Sequence, residues 1–373
     1  MKYDYMELGD IAEVTKLAGF EFTKYIEYID DGEIIALRAL NLRHGELDLS
    51  DVKRIDRQVS DSLLRSKLYR DDILLTYTGN GYGDCAIIEE NDKYHLAPNI
   101  CKITPNTTKI DPYFLYSYIR TNEFYQTMSN HMTGSSQPTI PMKTIRVLKV
   151  PVPPMEEQRK IASFMKSINI AIRNNTAINE NLTDQAQAIY QQYFVTKANP
   201  DWPLGHLSDL INVKYGKDHK KLADGAYPVY GSGGIMRYVE HPLYEKESVL
   251  IPRKGTLNNV MYVNQPFWSV DTMFYTEMKQ VNVAKFVYHY VKSKDLASMN
   301  AGSAVPSMTT AILNAMELRI PSEEALFQFE NSVAPMYEMI KKNEDQSRKL
   351  AQLRDVLLSK LMSGEIDVSN LDL

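Results

Sequence analysis

The sequence predicts a mixed α/β protein in which one architecture is repeated: two strand-rich domains, each followed by a long helix. The first observation is that "GSSQPTIPMKTIRVLKVPVPP", which begins at Gly134, is matched by "GSAVPSMTTAILNAMELRIPS", which begins at Gly302. Pro153 likewise corresponds to Pro321, so the match is ungapped at an offset of 168 residues. The second observation is that each phrase runs into a long segment with helical periodicity. A repeat at so long a period indicates two copies of one domain.

Chain length and composition bound the class of protein. The 373 residues are enough for two or three domains with sizeable cores. Two cysteines, Cys85 and Cys101, are too few for a disulfide framework or a zinc site, and the seven histidines have no metal-ligand spacing. No apolar run approaches the length that spans a bilayer. We therefore expect a reduced, cytoplasmic protein without a metal or other cofactor.

The first domain is predicted to cover residues 1–153. "DILLTYTG" (72–79) is an apolar, strand-like run that ends in glycine, and "FLYSYIRT" from Phe114 is typical of a helix. Asp111 is the expected N-cap of that helix, because Pro112 then occupies the first helical position.

The second domain, residues 197–321, repeats these segments. "SVLIPRKG" (248–255) corresponds to the strand-like run, and "FVYHYVKS" from Phe286 corresponds to the helix, with Tyr116 matching Tyr288 and Tyr118 matching Tyr290. We also align "LGDIAEV" from Leu8 with "LGHLSDL" from Leu204.

The long helices are predicted at 154–196 and 322–366, followed by a tail at 367–373. Pro154 lies near the first helical position and Glu156 and Glu157 in the first turn, which are start signals. Alternating four- and three-residue steps give a heptad seam in each segment. The first seam is Ile161, Met165, Ile168, Ile172, Asn175, Asn179, Leu182, Ala186, Ile189 and Tyr193. The second is Phe329, Val333, Met336, Ile340, Asn343, Ser347, Leu350, Arg354, Leu357 and Leu361. About forty residues give a rod of roughly 60 Å, and helices this long usually need a partner helix, so we expect two uninterrupted helices that pack against partners; two amphipathic helices inside a globular core are the alternative.

The polar break in the middle of each seam predicts the helix register. Asn175 and Asn343 lie at the midpoints of the two helices and correspond under the 168-residue offset. In an antiparallel pair related by a pseudo-twofold axis they should face each other, with Asn179 and Ser347 close by. Sliding one helix by a heptad would bury each amide against an apolar side chain without a partner, which is unfavourable.

The duplicated order of these segments resembles the specificity subunit of type I restriction-modification systems. "IPMKTIRVLKVPVPPMEEQRKIA" (140–162) is close to the form found in that family, and "YPVYGSGGIMRYVE" (227–240) is similar to its target recognition domains. The resemblance covers nearly the whole chain. It departs from the family pattern at "PSEEALFQFE", where the second copy lacks the P-P-x-x-E-Q of the first.

The resemblance implies a non-catalytic DNA-recognition subunit. Each strand-rich domain would read one half of an asymmetric, split site in double-stranded DNA. The antiparallel helices would hold the domains apart and dock methyltransferase subunits, two of them, that methylate adenine. ATP-dependent restriction subunits would join in a fuller assembly.

Polar loop residues are the candidate DNA contacts, because Arg and Lys suit guanine edges and phosphates while Asn and Gln suit adenine. In the first domain they are Arg38, Asn41, Arg43, Thr76, Tyr77, Thr78, Asn80, Tyr82, Ser135, Ser136 and Gln137. In the second they are Lys214, Lys217, Lys220, Lys221, Ser232, Arg253, Lys254, Asn258, Asn259 and Ser303. The formal charge of −5 does not itself suggest a nucleic-acid binder, but a local basic stripe would not show in that total.

Two other classes of function stay open at this point. "LLTYTGNGYGDC" places Gly79, Gly81 and Gly83 after a strand-like run, and such a loop could hold S-adenosylmethionine in a methyltransferase if a helix followed it. A short strand-like segment follows instead, and the repeat keeps only Gly255. A coiled-coil scaffold whose globular domains bind protein is the other alternative.

Overall fold

The computed structural model describes residues 3–43, 45–79, 81–132, 138–299, 307–366 and 368. The chain forms two compact units: Met1–Asn175 with Asp345–Leu373, and Thr176–Glu344. No helix within the described ranges is long and apolar enough to cross a membrane.

The first unit is built on a four-stranded antiparallel sheet, called here its central sheet. Its strands, in spatial order, are Ala12–Lys16, Ile100–Pro105, Ile73–Thr76 and Cys85–Ile87. A three-stranded sheet of Lys53–Ile55, Ile34–Leu37 and Tyr94–Leu96 combines an antiparallel and a parallel pair. Two smaller ladders pair Tyr5–Glu7 with Lys149–Pro151 and Leu42–Arg43 with Glu46–Leu47. The helices are Leu8–Ile11, Gly19–Tyr25, Arg57–Ser62, Pro112–Ile119, Asn122–Ser129 and Met142–Val147, with a 3-10 turn at Ala39–Asn41.

The second unit repeats this topology. Its central sheet has the strand order Ile211–Tyr215, Met273–Met278, Ser248–Pro252 and Met261–Val263. Its three-stranded sheet, Gly234–Val239, Tyr227–Gly231 and Trp268–Ser269, again combines an antiparallel and a parallel pair. Leu204–His206 pairs with Glu317–Arg319, and the helices are Leu207–Leu210, Ala284–Lys292 and Thr310–Asn314. The predicted two-domain repeat is confirmed.

The third strand of each central sheet has an unbroken apolar run because both of its faces are buried. This is why the two repeats share such a run. In the first unit Ile73 and Leu75 join the core that contains Phe114, while Leu74 joins a second core with Leu37. Successive side chains of a strand point to opposite faces, so a strand covered on both faces must be apolar throughout. In the second unit Val249 and Ile251 face one core and Leu250 faces the other.

The matched helices after the central sheets begin and pack as the sequence predicts. The Oδ1 atom of Asp111 accepts hydrogen bonds from the backbone N–H groups of Tyr113 and Phe114, both at 2.9 Å. The hydroxyl of Tyr118 donates to the carbonyl oxygen of Lys149 at 3.3 Å, and that of Tyr290 donates to the carbonyl oxygen of Glu317 at 2.8 Å. The two tyrosines are therefore equivalent anchors to the strand that precedes each long helix.

The predicted alignment of the domain starts is wrong by three residues. The short helices that begin at Leu8 in unit one and at Leu207 in unit two each lead directly into an edge strand of the central sheet. "LGDIAEV" therefore corresponds to "LSDLINV" from Leu207. The leucine–glycine pair at Leu204 misled the alignment because it lies in the preceding strand, Leu204–His206.

The long helices are Met155–Gln191, which is extended by a π-helical turn at Gln192–Thr196, and Glu323–Met362. In each unit their segments run antiparallel. In the first, Ile161 and Met165 share a core with Leu358 and Leu361. The second unit pairs the opposite ends of the helices, through the set Ala186, Tyr190, Phe329 and Val333.

The second long helix runs unbroken from Glu323 to Met362, as expected, although Pro335 lies inside it. A proline inside a helix removes one backbone hydrogen-bond donor and crowds the preceding turn. Pro335 lies on the exposed face of the helix. The apolar seam continues past it, since Val333 is buried and Met336 packs against the same core.

Candidate nucleic-acid interface

Each unit brings together two of the predicted loop segments, at a place that we call its junction. The first junction consists of Tyr77–Gly79 and 138–140. The N–H of Gly79 donates to the Pro138 carbonyl at 2.9 Å, and the N–H of Ile140 donates to the Tyr77 carbonyl at 3.0 Å. The hydroxyls of Thr78 and Thr139 lie 2.6 Å apart. The turn at the end of the central strand is thus fixed to the segment that leads into the long helix.

The second junction is built the same way from Arg253–Gly255 and 307–308. Lys254 forms a β-bridge with Ser307, and the N–H of Met308 donates to the Arg253 carbonyl at 2.9 Å. Gly79 and Gly255 have φ values of +87° and +84°, a left-handed conformation that favours glycine. Thr139 and Ser307 correspond under the offset of the repeat, so both junctions occupy the same place in the fold.

The second junction also gathers the neighbouring predicted loops. Asn259 donates its amide to the carbonyl of Ser232 at 2.8 Å. The guanidinium of Arg253 lies 5.6 Å from the ring centroid of Tyr215, and its Nη1 donates to the backbone carbonyl of Asp271 at 2.9 Å. Lys254 is exposed. The arrangement presents positive charge and amide groups on one local surface, which suits phosphate and base-edge contacts.

The loop after Tyr215 carries most of the other candidate cations of the second unit. Lys217, Lys220 and Lys221 are exposed, and no ion pair to them occurs among the described residues. Lys214 is also exposed, but it lies 3.5 Å from Glu277. The loop is held by the indole N–H of Trp268, which donates to the Lys217 carbonyl at 2.9 Å. Lys217, Lys220 and Lys221 are available to phosphate, while Lys214 is partly neutralised.

Asn258 has a different role from its neighbour. Its amide donates to Asp295 Oδ1 at 3.0 Å, and its Oδ1 accepts the N–H of Ala297 at 3.0 Å. Both ends of the side chain therefore connect two loops of the protein. We leave Asn258 out of the interface proposed below.

Asn41 and Arg38, predicted as DNA contacts, instead hold their own loop. Asn41 is fully buried; its amide donates to the carbonyls of Asp48 and Asp51, both at 2.8 Å, and its Oδ1 accepts the Arg38 N–H. Arg38 donates to the Asp51 carbonyl and lies 3.3 Å from the Asp51 carboxylate. Arg43 remains exposed, at 3.5 Å from Asp48. Buried amides with backbone partners are common in loops, so the presence of Arg and Asn in a polar turn was not specific evidence of base readout.

The remaining candidates of the first unit divide by burial. Thr76 is buried in its strand, and Thr78 is almost buried and paired with Thr139. Tyr77 is half-buried at the junction. The ring of Tyr82 stacks on that of Tyr125 at 5.2 Å, and its hydroxyl lies 3.0 Å from that of Ser129. Thr76 therefore belongs to the core, whereas Tyr77 and Tyr82 reach the surface. Asn80, Ser135, Ser136, Gln137 and Ser303 lie outside the described residues.

The glycine-rich loop of the first unit leads into a strand. Cys85–Ile87, which follows Gly83, is the edge strand of the central sheet. Phosphate-binding glycine loops depend on the N-terminus of a following helix, which this segment does not supply. Within the described ranges, no group of three His, Cys, Asp or Glu side chains is placed to hold a metal ion.

The polar break in the helix seams forms crosswise hydrogen bonds within each unit. In the first, the amide of Asn175 donates to Ser347 Oγ at 3.1 Å and to Gln346 Oε1 at 3.3 Å. In the second, the amide of Asn343 donates to Asn179 Oδ1 at 2.8 Å. Asn175 corresponds to Asn343 and Asn179 to Ser347 under the repeat offset, so the two pairs are equivalent. The direct facing of Asn175 and Asn343 stays a prediction.

Asn169, a buried polar residue of the first unit, was not identified from the sequence. Asn169 accepts a hydrogen bond from Arg354 at 3.1 Å and donates to the Tyr113 hydroxyl at 2.8 Å. Arg354, the exception in the apolar seam, therefore has a designated polar partner. Arg354 in an otherwise apolar part of the seam was the signal: it requires a polar partner on the facing helix, and Asn169 is that partner.

Gln158, the last letter of the P-P-x-x-E-Q phrase, is also buried. Its Oε1 accepts the N–H of Asp111 at 2.7 Å, and its Nε2 donates to the carbonyls of Pro153 and Lys109 at 2.8 Å and 3.3 Å. Leu326 occupies the corresponding position in the second copy and is buried in an apolar core. The phrase fixes the start of the first long helix, and its absence from the second copy reflects a different internal packing.

Fold and junctions together define a duplicated binding protein, whose two units present corresponding loop clusters with different side chains. Residues 1–184 and 199–332 match the type I restriction modification DNA specificity domain. The chain belongs to this family.

Individual relatives agree over most of their length. The specificity subunit of the type I restriction enzyme HindI from Haemophilus influenzae is 21% identical, with 96% of this chain and 98% of the relative aligned. The MjaIX specificity subunit from Methanocaldococcus jannaschii is 23% identical over 69% of this chain and 70% of its own. The crystal structure of a type I S subunit from M. genitalium shares the fold with a TM-score of 0.62 at 16% identity, covering 97% of this chain and 96% of that one.

Proposed function

We propose that this chain is the DNA-recognition subunit of a type I restriction-modification complex and that it reads an asymmetric, split target in double-stranded DNA. The observation that carries the proposal is the repeated junction: the same backbone arrangement occurs in both units and displays different side chains. Where the first unit has Tyr77 and Thr78, the second has Arg253 and Lys254. Two readers of one fold with different side chains suit two different half-sites.

The contacts proposed for the first reader are Arg43, Tyr77 and Tyr82, together with the sequence candidates Asn80, Ser135, Ser136 and Gln137. Those for the second are Lys217, Lys220, Lys221, Ser232, Arg253, Lys254 and Asn259, together with Ser303. Cations near the junctions would fix position on the phosphate backbone, and the amides and hydroxyls would contact base edges. The half-sites would be separated by about one turn of DNA, since both halves then present the same face.

Methylation and cleavage belong, in this proposal, to partner subunits in the cytoplasm: two methyltransferase subunits that modify adenine, and ATP-dependent restriction subunits in a fuller assembly. Exposed apolar side chains on both long helices support docking there. Examples are Ile170 and Ile178 on the first helix and Leu353 and Val356 on the second.

The test is a domain replacement with a methylation readout. Cells that contain this chain and its methyltransferase partner are sequenced for methylated adenine, which gives the target. Residues 1–153 are then replaced by the corresponding domain of a relative with a known target. We expect one half-site to change and the other to persist; a simultaneous change of both halves would contradict independent readers.

A further inference from the structure

Both units place a cation over an aromatic ring at the same position beside the junction, with the two partners exchanged. In the first unit the Nζ of Lys16 lies 5.5 Å from the ring centroid of Tyr77. In the second the guanidinium of Arg253 lies 5.6 Å from the ring centroid of Tyr215. Neither Lys16 nor Tyr215 stood out in the sequence.

The four positions are equivalent in pairs. Lys16 and Tyr215 are the last residues of the edge strands Ala12–Lys16 and Ile211–Tyr215. Tyr77 and Arg253 each follow the last residue of the third strand, Ile73–Thr76 or Ser248–Pro252. The first unit therefore carries the cation on its edge strand, and the second carries it on its junction turn.

Neither cation is neutralised by an acidic side chain in the part of its unit that the structure describes. Across the described residues, no carboxylate forms an ion pair with Lys16 or Arg253; the bond from Arg253 to Asp271 goes to a backbone carbonyl. Lys16 is exposed, and Tyr215 is 53% exposed. Both repeats therefore place, at the same position, a cation that has no acidic partner among the described residues, in a chain whose formal charge is −5.

A ring beneath the cation restricts where its charge can go. The quadrupole of an aromatic face attracts a cation within about 6 Å and competes little with an anion on its other side. A side chain held in this way has less rotamer freedom to lose when it binds an anion. Phosphodiester groups are the anions of DNA that fix the orientation of a bound protein.

We propose that Lys16 over Tyr77 and Arg253 over Tyr215 are the phosphate anchors of the two readers. Each anchor contacts one phosphodiester beside its half-site, from the edge strand in the first reader and from the junction turn in the second. The anchor lies on the edge strand in one reader and on the junction turn in the other. The phosphate that each reader contacts therefore lies at a different place relative to its half-site. This inference rests on the proposed function, because it assigns positioning residues to the same interface.

The test measures salt dependence in the complete complex of this chain with its methyltransferase partner. The dissociation constant is determined over a range of KCl concentrations for a duplex carrying the mapped target and for a scrambled duplex of equal length. Loss of one phosphate contact lowers the slope of log affinity against log salt by about 0.9. We expect that decrease for Lys16→Ala and for Arg253→Ala, with binding several-fold weaker and the preference for target over scrambled DNA unchanged.

Matched variants separate the anchor from general charge and from folding. Lys53→Ala and Lys246→Ala remove exposed lysines away from the junctions and should leave the slope unchanged. Lys16→Arg should keep the wild-type salt slope. Tyr77→Leu should weaken binding but should also leave the salt slope at its wild-type value. The exchanged pair Lys16→Tyr with Tyr77→Arg copies the second unit and should recover the slope that Lys16→Tyr alone loses.

Three outcomes are decisive against the anchors. An unchanged slope in Lys16→Ala and Arg253→Ala, an equal decrease in the two control variants, or a reduced target preference would each overturn the assignment. A wild-type complex that does not distinguish target from scrambled DNA would instead overturn the proposed function itself.

Discussion

At the scale of single residues, His289 shows how the second unit fastens its reader to the long helices. Its Nδ1 donates to Gln187 Oε1 at 2.7 Å, and its Nε2 lies 2.8 Å from the Tyr337 hydroxyl, which donates to it. The ring also stacks on Tyr190 at 5.5 Å. Burial, assisted by nearby Lys292, lowers the pKa of His289 to about 3, so the folded protein holds this histidine neutral.

This burial makes stability depend on pH. In the unfolded chain the histidine pKa is about 6.5, so between about pH 6.5 and 3 the unfolded state binds a proton that the folded state does not. The stability that comes from burying His289 in its neutral form is fully present above about pH 6.5 and is lost as the pH falls towards 3. For His289→Gln we expect lower stability than wild type near neutral pH. Between about pH 7.5 and 5, however, the variant should lose up to about 2 kcal/mol less free energy of unfolding.

Denaturant titrations of both proteins at the two pH values provide the measurement. His131→Gln, at an exposed position, is the matched control and should follow the wild-type dependence. If His289→Gln lost as much stability on acidification as the wild type, the buried neutral state of His289 would be disproved.

At the scale of elements, the sequence predicted secondary structure best where an apolar pattern extends over many residues. The paired helices and the repeated third strands follow from seams and apolar runs that burial requires. The start of the helix Pro112–Ile119 was also predictable, because Asp111 is a good N-cap residue and Pro112 suits the first helical position. Pro335 shows the limit: packing of Val333 and Met336 on either side maintains the helix despite the local cost of proline.

Loop side chains could be predicted only in part, because residue type does not reveal where a polar group points. Asn41 and Asn259 are both asparagines in polar turns, yet one is buried among backbone carbonyls and the other borders the second junction. Gln158 was recognised only as part of the P-P-x-x-E-Q phrase, whereas in the structure it is buried and accepts the N–H of Asp111. Each outcome depends on backbone groups elsewhere in the chain, from the same loop for Asn41 to segments 27 and 47 residues away for Asn259 and Gln158.

The asparagine pair of the second unit gives a prediction for the helices. Asn343→Leu leaves Asn179 Oδ1 without its 2.8 Å donor in a partly buried seam, so we expect a loss of about 1–2 kcal/mol in unfolding free energy. Asn179→Leu combined with Asn343→Leu replaces both partners by apolar groups and should recover most of that loss. Thermal denaturation of the three proteins measures it.

Asn174→Leu, at an exposed position of the first long helix, serves as the comparison and should change stability by less than about 0.5 kcal/mol. Equal destabilisation by the single and the double substitution would mean that the loss does not come from an unsatisfied Asn179 Oδ1.

The exposed apolar side chains of the second long helix give a prediction about assembly. Leu353 and Val356 are 47% and 60% exposed and lie three residues apart, on one face of the helix. Leu353→Asp with Val356→Asp should sharply reduce co-purification of the methyltransferase subunit, while the melting temperature of the free chain stays nearly constant. Gln352→Asp adds charge at an adjacent exposed polar position and should retain the partner; retention by the double variant would remove this face from the docking surface.

At the scale of the whole molecule, the charge balance predicts that this chain binds DNA more weakly alone than in the proposed complex. A formal charge of −5 gives little net counterion release on binding. We expect the free chain to bind its mapped duplex at least tenfold more weakly than the complex does at physiological salt, with a shallower salt slope. Fluorescence anisotropy with the same labelled duplex measures both; equal affinity and slope for the free chain would show that the partner contributes no phosphate contacts.

The make-up of the first unit has a consequence for synthesis on the ribosome. Its core contains Leu358, Leu361, Met362 and Val368 in addition to residues near the start of the chain. The second unit, by contrast, is continuous from Thr176 to Glu344. A chain is translated from its N-terminus, so the second unit has all its residues before the first has received its last apolar ones. Until then Ile161 and Met165 lack part of their cover, and the nascent protein exposes a surface that a chaperone can bind. The order of synthesis and the order of folding are therefore opposed: the unit that is begun first is completed last.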